Sequence, residues 1–184
     1  MDLGAPYLRS SGRVGIRHPR REDRDAFFEL RRASEALHRP WEPTVEPGRD
    51  PYSEEAWEEF LAGHGLAARR MRYLCCRLED GALLGLCNVN EIVRGVFQSA
   101  YLGYWIGAPY ARQGYMREGL ALVVAHAFEE LGLHRLEANI QPTNAASIAL
   151  VSSLGFQLEG YSERYLKISG AWRDHERWAL LADS

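Results

Sequence analysis

One stretch of the chain decides the fold: Tyr110-Ala111-Arg112-Gln113-Gly114-Tyr115-Met116-Arg117-Glu118-Gly119-Leu120. It joins a predicted strand over residues 98–107 to a predicted helix that runs to Leu131, in which apolar residues recur at helical spacing. The first amides of a helix lack intrahelical partners, and a glycine there lets a ligand approach the backbone closely. The stretch therefore predicts an anion-binding turn between a strand and a helix.

Two common phosphate-binding motifs are excluded by their spacing. Gly114 and Gly119 are followed by Leu120 and Ala121, not by Lys and Ser or Thr, so the stretch is not a P-loop. The GxGxxG fingerprint of dinucleotide-binding folds is also absent. The turn therefore predicts a different class of anionic ligand.

Strands and helices alternate on both sides of this turn. The order β-α-α-β-β-β-α-β-α-β-β predicts an α/β or α+β domain built on one mixed sheet. Residues 39–52 form a proline-rich loop between the first two helices, and Ser53 caps the second. The predicted strands cover residues 14–17, 72–78, 83–92, 98–107, 134–141, 156–168 and 172–181, and the other helices cover residues 22–38 and 144–154.

Composition bounds the class of protein. The 184 residues suit one domain, which we place at residues 13–184 after a loose segment at 1–12. A net charge of −3 does not favour binding to nucleic acid. Cys75, Cys76 and Cys87 show no metal-binding spacing, so we interpret them as core residues in a reducing compartment. The amino terminus lacks a signal-peptide pattern and no apolar run could span a membrane, so we expect a cytoplasmic protein.

Further motifs follow the turn in a characteristic order. They are Arg39–Pro43, Val93–Tyr104, Asn144–Ser147 on a predicted helix, Leu154–Phe156, and Ser169–His175 with Trp-Arg-Asp-His at its end. Together with the turn they resemble the GNAT superfamily of N-acetyltransferases and, within it, the RimJ/RimL group of ribosomal-protein-alanine N-acetyltransferases. The turn departs from the usual Arg/Gln-x-x-Gly-x-Gly/Ala at Ala111 and Met116. The resemblance covers about residues 13–182.

The resemblance implies a GNAT fold with a mostly antiparallel sheet of about seven strands and about four helices. It also implies acetyl-CoA as the cofactor, no metal, and direct attack of an amine on the thioester. The residues that it implies for the cofactor are Tyr104, Trp105, Ile106, Arg112, Gln113, Gly114, Tyr115, Met116, Arg117, Asn144 and Ser147. For the acceptor it implies a pocket between the early helices and the final hairpin, with Trp41, Glu42, Asn88, Glu91 and Tyr165.

Catalysis is less specified by the residues than cofactor binding. Val151 stands where some peptide N-acetyltransferases have a tyrosine acid, so we assign Ser147, on the same helix, to assist thiolate departure. For the base we consider Glu137, Glu91 and a water held by Asn139. His175 and Trp41 stay open between a functional and a structural role.

The function implied by the resemblance is transfer of an acetyl group to a primary amine. The first candidate acceptor is the N-terminal α-amine of an alanine on a ribosomal protein, with neither nucleic acid nor membrane as a direct partner. An α-amine has a pKa of about 7.7–8.0, so a weak base or a water relay can deprotonate it. The alternatives are a small-molecule amine (a polyamine, an amino acid or an antibiotic) and a non-catalytic acyl-CoA-binding or ribosome-associated module.

Overall fold

The computed structural model describes residues 6–45 and 47–182. Its strands are β1 (Arg9–Ser11), β2 (Val14–Arg17), β3 (Met71–Arg77), β4 (Leu83–Val93), β5 (Ser99–Ile106), β6 (Arg135–Ile140), β7 (Gln157–Ile168) and β8 (Ala171–Leu181). Its α-helices are α1 (Arg24–Ala33), α2 (Glu35–His38), α3 (Glu54–Ala62), α4 (Tyr115–Glu129) and α5 (Ala145–Ser153). These elements follow the predicted order, with the additions described below.

All eight described strands belong to one sheet in the order β1-β2-β3-β4-β5-β6-β8-β7. Every neighbouring pair is antiparallel except β5 and β6, which are parallel. A parallel pair needs a long crossover connection, and α4 supplies it here. The helix therefore begins at the end of β5 where the sequence predicted the anion-binding turn.

The two faces of the sheet bury separate cores because side chains alternate along a strand. On β3, Tyr73 and Cys75 pack in the larger core with residues of α4 and α5, whereas Leu74 and Cys76 pack with α1 and α3. All three cysteines are buried and free, as the sequence predicted. Among the helices of the described residues, none is long and apolar enough to cross a membrane.

Two elements differ from the sequence-based expectation. Arg9–Ser11, placed in the loose segment, forms the edge strand β1, because Gly12 (φ +57°) turns the chain back to pair with β2. Residues 1–5 of the predicted loose segment lie outside the described residues, and residues 6–8 form bends. The predicted helix over residues 22–38 is divided at Ser34. Together with β1, this division gives the described residues five α-helices and eight strands where about four and about seven were expected.

Candidate active site

Strands β5 and β6 separate after a short stretch of pairing. Their ladder runs from Ser99–Arg135 to Tyr101–Glu137 and then ends, whereas β5 stays paired with β4 as far as Ile106. Strand β6 likewise stays paired with β8 beyond this point. The inner edges of the two diverging strands lack strand partners, so their backbone groups are available to a ligand. Two cavities open at this separation.

The first cavity, called here the α4 cavity, has a volume of about 440 Å³. The end of β5 and the first turns of α4 and α5 form its walls, and Leu37 to Glu42 form its rim. Apolar groups such as Ile106, Met116 and Leu150 contribute much of the lining. This cavity can therefore hold a long ligand that is apolar along part of its length.

The N-terminus of α4 provides the polar end of this cavity. Gly114 is the N-cap residue at φ +84°, and its side-chain-free position leaves the first amides of the helix uncapped. Arg13 donates to Glu118 Oε1 (2.9 Å) and to the Gln113 carbonyl (3.0 Å), which ties the turn to the sheet and neutralises the carboxylate. Uncapped amides at the positive end of a helix dipole favour a phosphate.

Most residues predicted for the cofactor line this cavity. They are Tyr104, Trp105, Ile106, Arg112, Gly114, Met116, Arg117, Asn144 and Ser147. Gln113 instead points outward and donates to the Pro109 carbonyl (2.8 Å). The Tyr115 ring is buried, packing against Tyr110 and beneath the Arg13 guanidinium. These two residues can therefore act on a ligand only through their backbone.

A hydrogen-bonded pair stands where the two cavities meet. The Tyr104 hydroxyl lies 2.6 Å from Ser147 Oγ, and both residues line both cavities. Asn144, the N-cap of α5, accepts a hydrogen bond from the Ser147 amide through Oδ1 (3.2 Å). Burial raises the pKa of Tyr104 to about 12, so its hydroxyl stays protonated near neutral pH. The pair therefore presents neutral hydroxyl groups at the junction.

The second cavity, called here the splay cavity, has a volume of about 170 Å³ and lies between β5 and β6. Asn139 and His175 line it beside Gly103, and Trp41 closes one side. Asn139 Oδ1 is buried and has no hydrogen-bond partner among the described residues. No carboxylate occurs among the described residues that line this cavity. It is therefore a small neutral chamber that contains an unpaired acceptor.

Glu137 lies just outside the splay cavity, in the last pair before the strands separate. Its carboxylate accepts a hydrogen bond from Arg135 Nε (2.8 Å), and Arg135 also pairs with Glu159. The structure therefore brings Asn139 and Ser147 to the junction but leaves Glu137 in an ion-pair network beside it.

A third cavity of about 820 Å³, called here the α1 cavity, lies between α1, the loop after α2 and the sheet. Its charged residues balance one another. Arg31 holds the Glu42 carboxylate through both oxygens (2.7 Å each), and Arg39 pairs with Glu35 at 2.6 Å. Asn88 lines this cavity, and its Oδ1 is buried without a partner among the described residues.

A buried histidine, His38, lines the α4 cavity and was not predicted from the sequence. His38 Nδ1 lies 2.9 Å from Arg31 Nη1, and its Nε2 lies 2.8 Å from the Ile106 carbonyl oxygen. Burial lowers the pKa of His38, and the nearby Arg31 adds to this effect. The neutral ring therefore accepts from Arg31 and donates to β5, which fixes the loop that carries Trp41 and Glu42.

The residues predicted for the acceptor are divided by the structure. Trp41 lines the α4 and splay cavities, and Glu42 lines the α4 and α1 cavities. Glu91 is exposed at φ +50° in an irregular part of β4 and lines none of the three cavities. Tyr165 also lies outside their linings, with its ring centroid 5.9 Å from that of His175.

The parallel strands β5 and β6 diverge, the uncapped N-terminus of α4 lies in one cavity at this point, and the splay cavity lies beside it. Together these features define a class of protein. A family model described as an acetyltransferase (GNAT) domain matches residues 13–157. The chain therefore belongs to the GNAT acetyltransferase family, whose members are acetyl-CoA-dependent acyltransferases. This confirms the family and the fold class that the sequence predicted.

Two sequence relatives and one solved structure are similar to the chain. Over 102 residues, or 55 % of the chain, it is 39 % identical to the [ribosomal protein uS5]-alanine N-acetyltransferase of Escherichia coli and to the probable N-acetyltransferase YjcK of Bacillus subtilis. The matched stretch spans only 53 % and 56 % of those relatives. The structure of Mycobacterium smegmatis RimJ in complex with CoA-disulfide is 31 % identical, with a TM-score of 0.84 over 92 % of this chain and 82 % of that one.

Proposed function

We propose that the protein transfers an acetyl group from acetyl-CoA to the N-terminal α-amine of a protein, and that this acceptor is an alanine on a ribosomal protein. The observation that carries the proposal is the neutral splay cavity, which meets the α4 cavity at Tyr104 and Ser147. The name of the Escherichia coli relative supports this acceptor class. The proposal includes a cytoplasmic location.

The α4 cavity supports acetyl-CoA as the cosubstrate. The amides after Gly114 would receive the pyrophosphate. Arg112 and Arg117 line the cavity and are in no ion pair with a described residue, so both can approach further phosphate oxygens. The apolar lining would take the pantetheine arm toward the junction, and acetyl-CoA supplies the activated acyl group there.

An α-amine fits the splay cavity better than a lysine side chain. The cavity has no carboxylate among the described residues that line it, so nothing there compensates a fixed positive charge. An α-amine has a pKa of about 7.7–8.0 against about 10.4 for lysine, and it loses its charge far more readily. The balanced ion pairs of the α1 cavity likewise offer no excess negative charge to a polyamine.

The residues at the junction divide the chemical work. Asn139 Oδ1 would accept a hydrogen bond from the attacking amine and hold its lone pair toward the acyl carbon. The Ser147 hydroxyl would donate to the departing sulfur, and Tyr104 would hold that hydroxyl in place. Glu137, one pair outside the cavity, could accept the proton only through water.

Thiol release from acetyl-CoA tests the proposal with matched acceptors. We expect turnover with a peptide that begins with a free N-terminal alanine. We expect none with the same peptide N-acetylated and carrying one lysine, and mass spectrometry should find the acetyl group on the α-nitrogen. Turnover confined to spermidine or an aminoglycoside would replace the proposal with a small-amine acetyltransferase. Coenzyme binding without turnover on any acceptor would indicate a non-catalytic module.

A further inference from the structure

His175 occupies a buried position in the wall of the splay cavity. Its residue is only 3 % exposed, and it lines the cavity together with Asn139 and Ser147. On strand β8, His175 pairs with Ser162 of β7, and the ladder between β8 and β6 ends at the next residue, Glu176. We infer that His175 is the general base that takes a proton from the acceptor amine, an inference that rests on the proposed function.

One hydrogen bond fixes the tautomer of this ring. His175 Nδ1 lies 2.9 Å from the carbonyl oxygen of Arg173, and a carbonyl can only accept, so Nδ1 carries a hydrogen. The neutral ring then keeps a lone pair on Nε2, and no described residue donates to it. A positioned imidazole with a free lone pair is what general-base catalysis requires.

Two residues that line the splay cavity each have a hydrogen-bond acceptor without a donor. Asn139 pairs with Arg177 across the β6–β8 ladder, so His175, two residues away, faces the same side of the sheet. Asn139 Oδ1 and His175 Nε2 are both without donors among the described residues. An amine carries several N–H groups and can therefore donate to more than one acceptor.

The other titratable groups near His175 are phenols or already accept hydrogen bonds from neighbouring residues. The ring of Tyr165 on β7 lies at a tilt of 59° to the His175 ring, and the Tyr104 hydroxyl on β5 is hydrogen-bonded to Ser147. The Asp174 carboxylate accepts from the Tyr161 hydroxyl (2.6 Å) and from the Arg164 amide (2.8 Å). Among the described residues that line the cavity, His175 therefore carries the only imidazole.

The proton and electron balance of the step is simple. The amine lone pair forms the N–C bond to the acyl carbon, and the C–S bond breaks with its electron pair remaining on sulfur. One amine proton passes to His175 Nε2, giving an imidazolium that later releases the proton to water. The sulfur, stabilised by the Ser147 hydroxyl, takes a proton from water. No oxidant, metal or further reactant is needed.

Two substitutions distinguish the proposed role of His175 as a base from a purely structural role. His175→Asn keeps an N–H donor near the Nδ1 position for the Arg173 carbonyl, and His175→Gln places an uncharged amide near the Nε2 position. His134→Gln, at an exposed histidine away from the cavities, is the matched control. The measurements are kcat/KM for the N-terminal-alanine peptide from pH 5.5 to 9, together with the melting temperature and coenzyme A affinity of each variant.

We expect both His175 variants to lose about 100-fold in kcat/KM, at the lower end of general-base effects because an α-amine is only weakly basic. Their pH profiles should lose the acidic limb assigned to the imidazole and keep the limb of the amine itself. Coenzyme A affinity and the His134→Gln profile should stay unchanged. Wild-type-like kcat/KM with an unaltered acidic limb in either folded variant would overturn the assignment.

A measurement on the wild type keeps the inference testable if the variants do not fold. The NMR titration of His175 should shift when the free-amino-terminal peptide is added, and it should not shift with the N-acetylated peptide. An unshifted titration under saturating free peptide would refute the base. If the wild type acetylates no peptide at all, the proposed function fails instead, and the two failures are thereby distinguished.

Discussion

The hydrogen bond between Tyr104 and Ser147 leads to a quantitative prediction for a double-mutant cycle. The variants are Tyr104→Phe, Ser147→Ala and the two combined. Each single substitution removes one hydroxyl from a contact of 2.6 Å at the junction of the α4 and splay cavities, and the combined variant removes both. Since both groups face cavities, water can replace a lost partner, and each change should cost only the net value of one neutral hydrogen bond.

That value is about 1 kcal/mol of unfolding free energy, which lowers the melting temperature by roughly 2–4 °C in a chain of this size. The effect on turnover should be larger for Ser147→Ala. A hydroxyl that donates to a developing thiolate contributes about 1.5–3 kcal/mol. Its loss should lower kcat by roughly 10- to 150-fold. Tyr104→Phe leaves the Ser147 hydroxyl in place but free to rotate. We therefore expect its loss in kcat to stay near roughly 10-fold, the lower end of that range.

Single-turnover thiol release, with coenzyme A affinity as the binding control, measures these effects. Tyr104 acts through Ser147, so the double variant should turn over no more slowly than Ser147→Ala alone. Fully additive losses would show that the tyrosine acts independently of the serine. An unchanged kcat in Ser147→Ala would refute the assignment of the serine to the leaving sulfur.

Three further predictions concern other parts of the molecule. Trp41→Ala should raise KM for the peptide far more than KM for acetyl-CoA, and equal effects would favour a packing role. Gly119→Ala should lower the melting temperature, because its Cβ would lie 2.6 Å from Cys75 Sγ, whereas Ala121→Ser on the exposed face of α4 should not. Burial lowers the pKa of His64 to about 4, below its unfolded value of about 6.5, so the stability it contributes is complete above pH 6.5 and is lost as the pH falls toward 4. The urea concentration at the unfolding midpoint should fall less between pH 6.5 and 4 in His64→Gln than in the wild type. An identical fall in both proteins would show that His64 is not the cause of the pH dependence.

The parts of the fold that local signals determine could be predicted from the sequence. Ser53 caps α3 as expected, with its hydroxyl accepting from the Ala56 amide, and Gly132 and Gly155 stand in left-handed conformations just beyond α4 and α5. Each of these signals acts within a few residues of the chain. The sequence therefore located these helix boundaries to within a few residues.

The errors in the fold prediction come from contacts distant in sequence. Ser34 divides the first helix because its hydroxyl donates to the Leu30 carbonyl and accepts from the amide of Ala108, far along the chain. Strand β1 is polar and exists only because β2 offers it a partner. Neither feature leaves a periodic signal in the sequence.

The same distinction applies to the site. The α4 turn and the Asn144–Ser147 segment are local motifs, and residues of both line the α4 cavity. His38 was missed because its role depends on contacts with Arg31 and with the carbonyl of Ile106 on β5. Glu91, a predicted acceptor residue and candidate base, lies in an irregular stretch of β4, where it is exposed and lines none of the three cavities.

The brief pairing of β5 with β6 also has a consequence for cooperativity. Among the described strands, only the ladder from Ser99 to Tyr101, called here the seam, joins the first five strands to β6, β8 and β7, and apart from the edge pair β1–β2 every other ladder of the sheet is longer. Amides along β6 and β8 should then exchange with deuterium through openings that leave β3 and β4 protected. A ligand that spans the split would connect the two units, and its binding energy would appear as slower exchange on both sides of the seam. The feature that makes room for catalysis would thus also make the rigidity of the free protein depend on its cosubstrate.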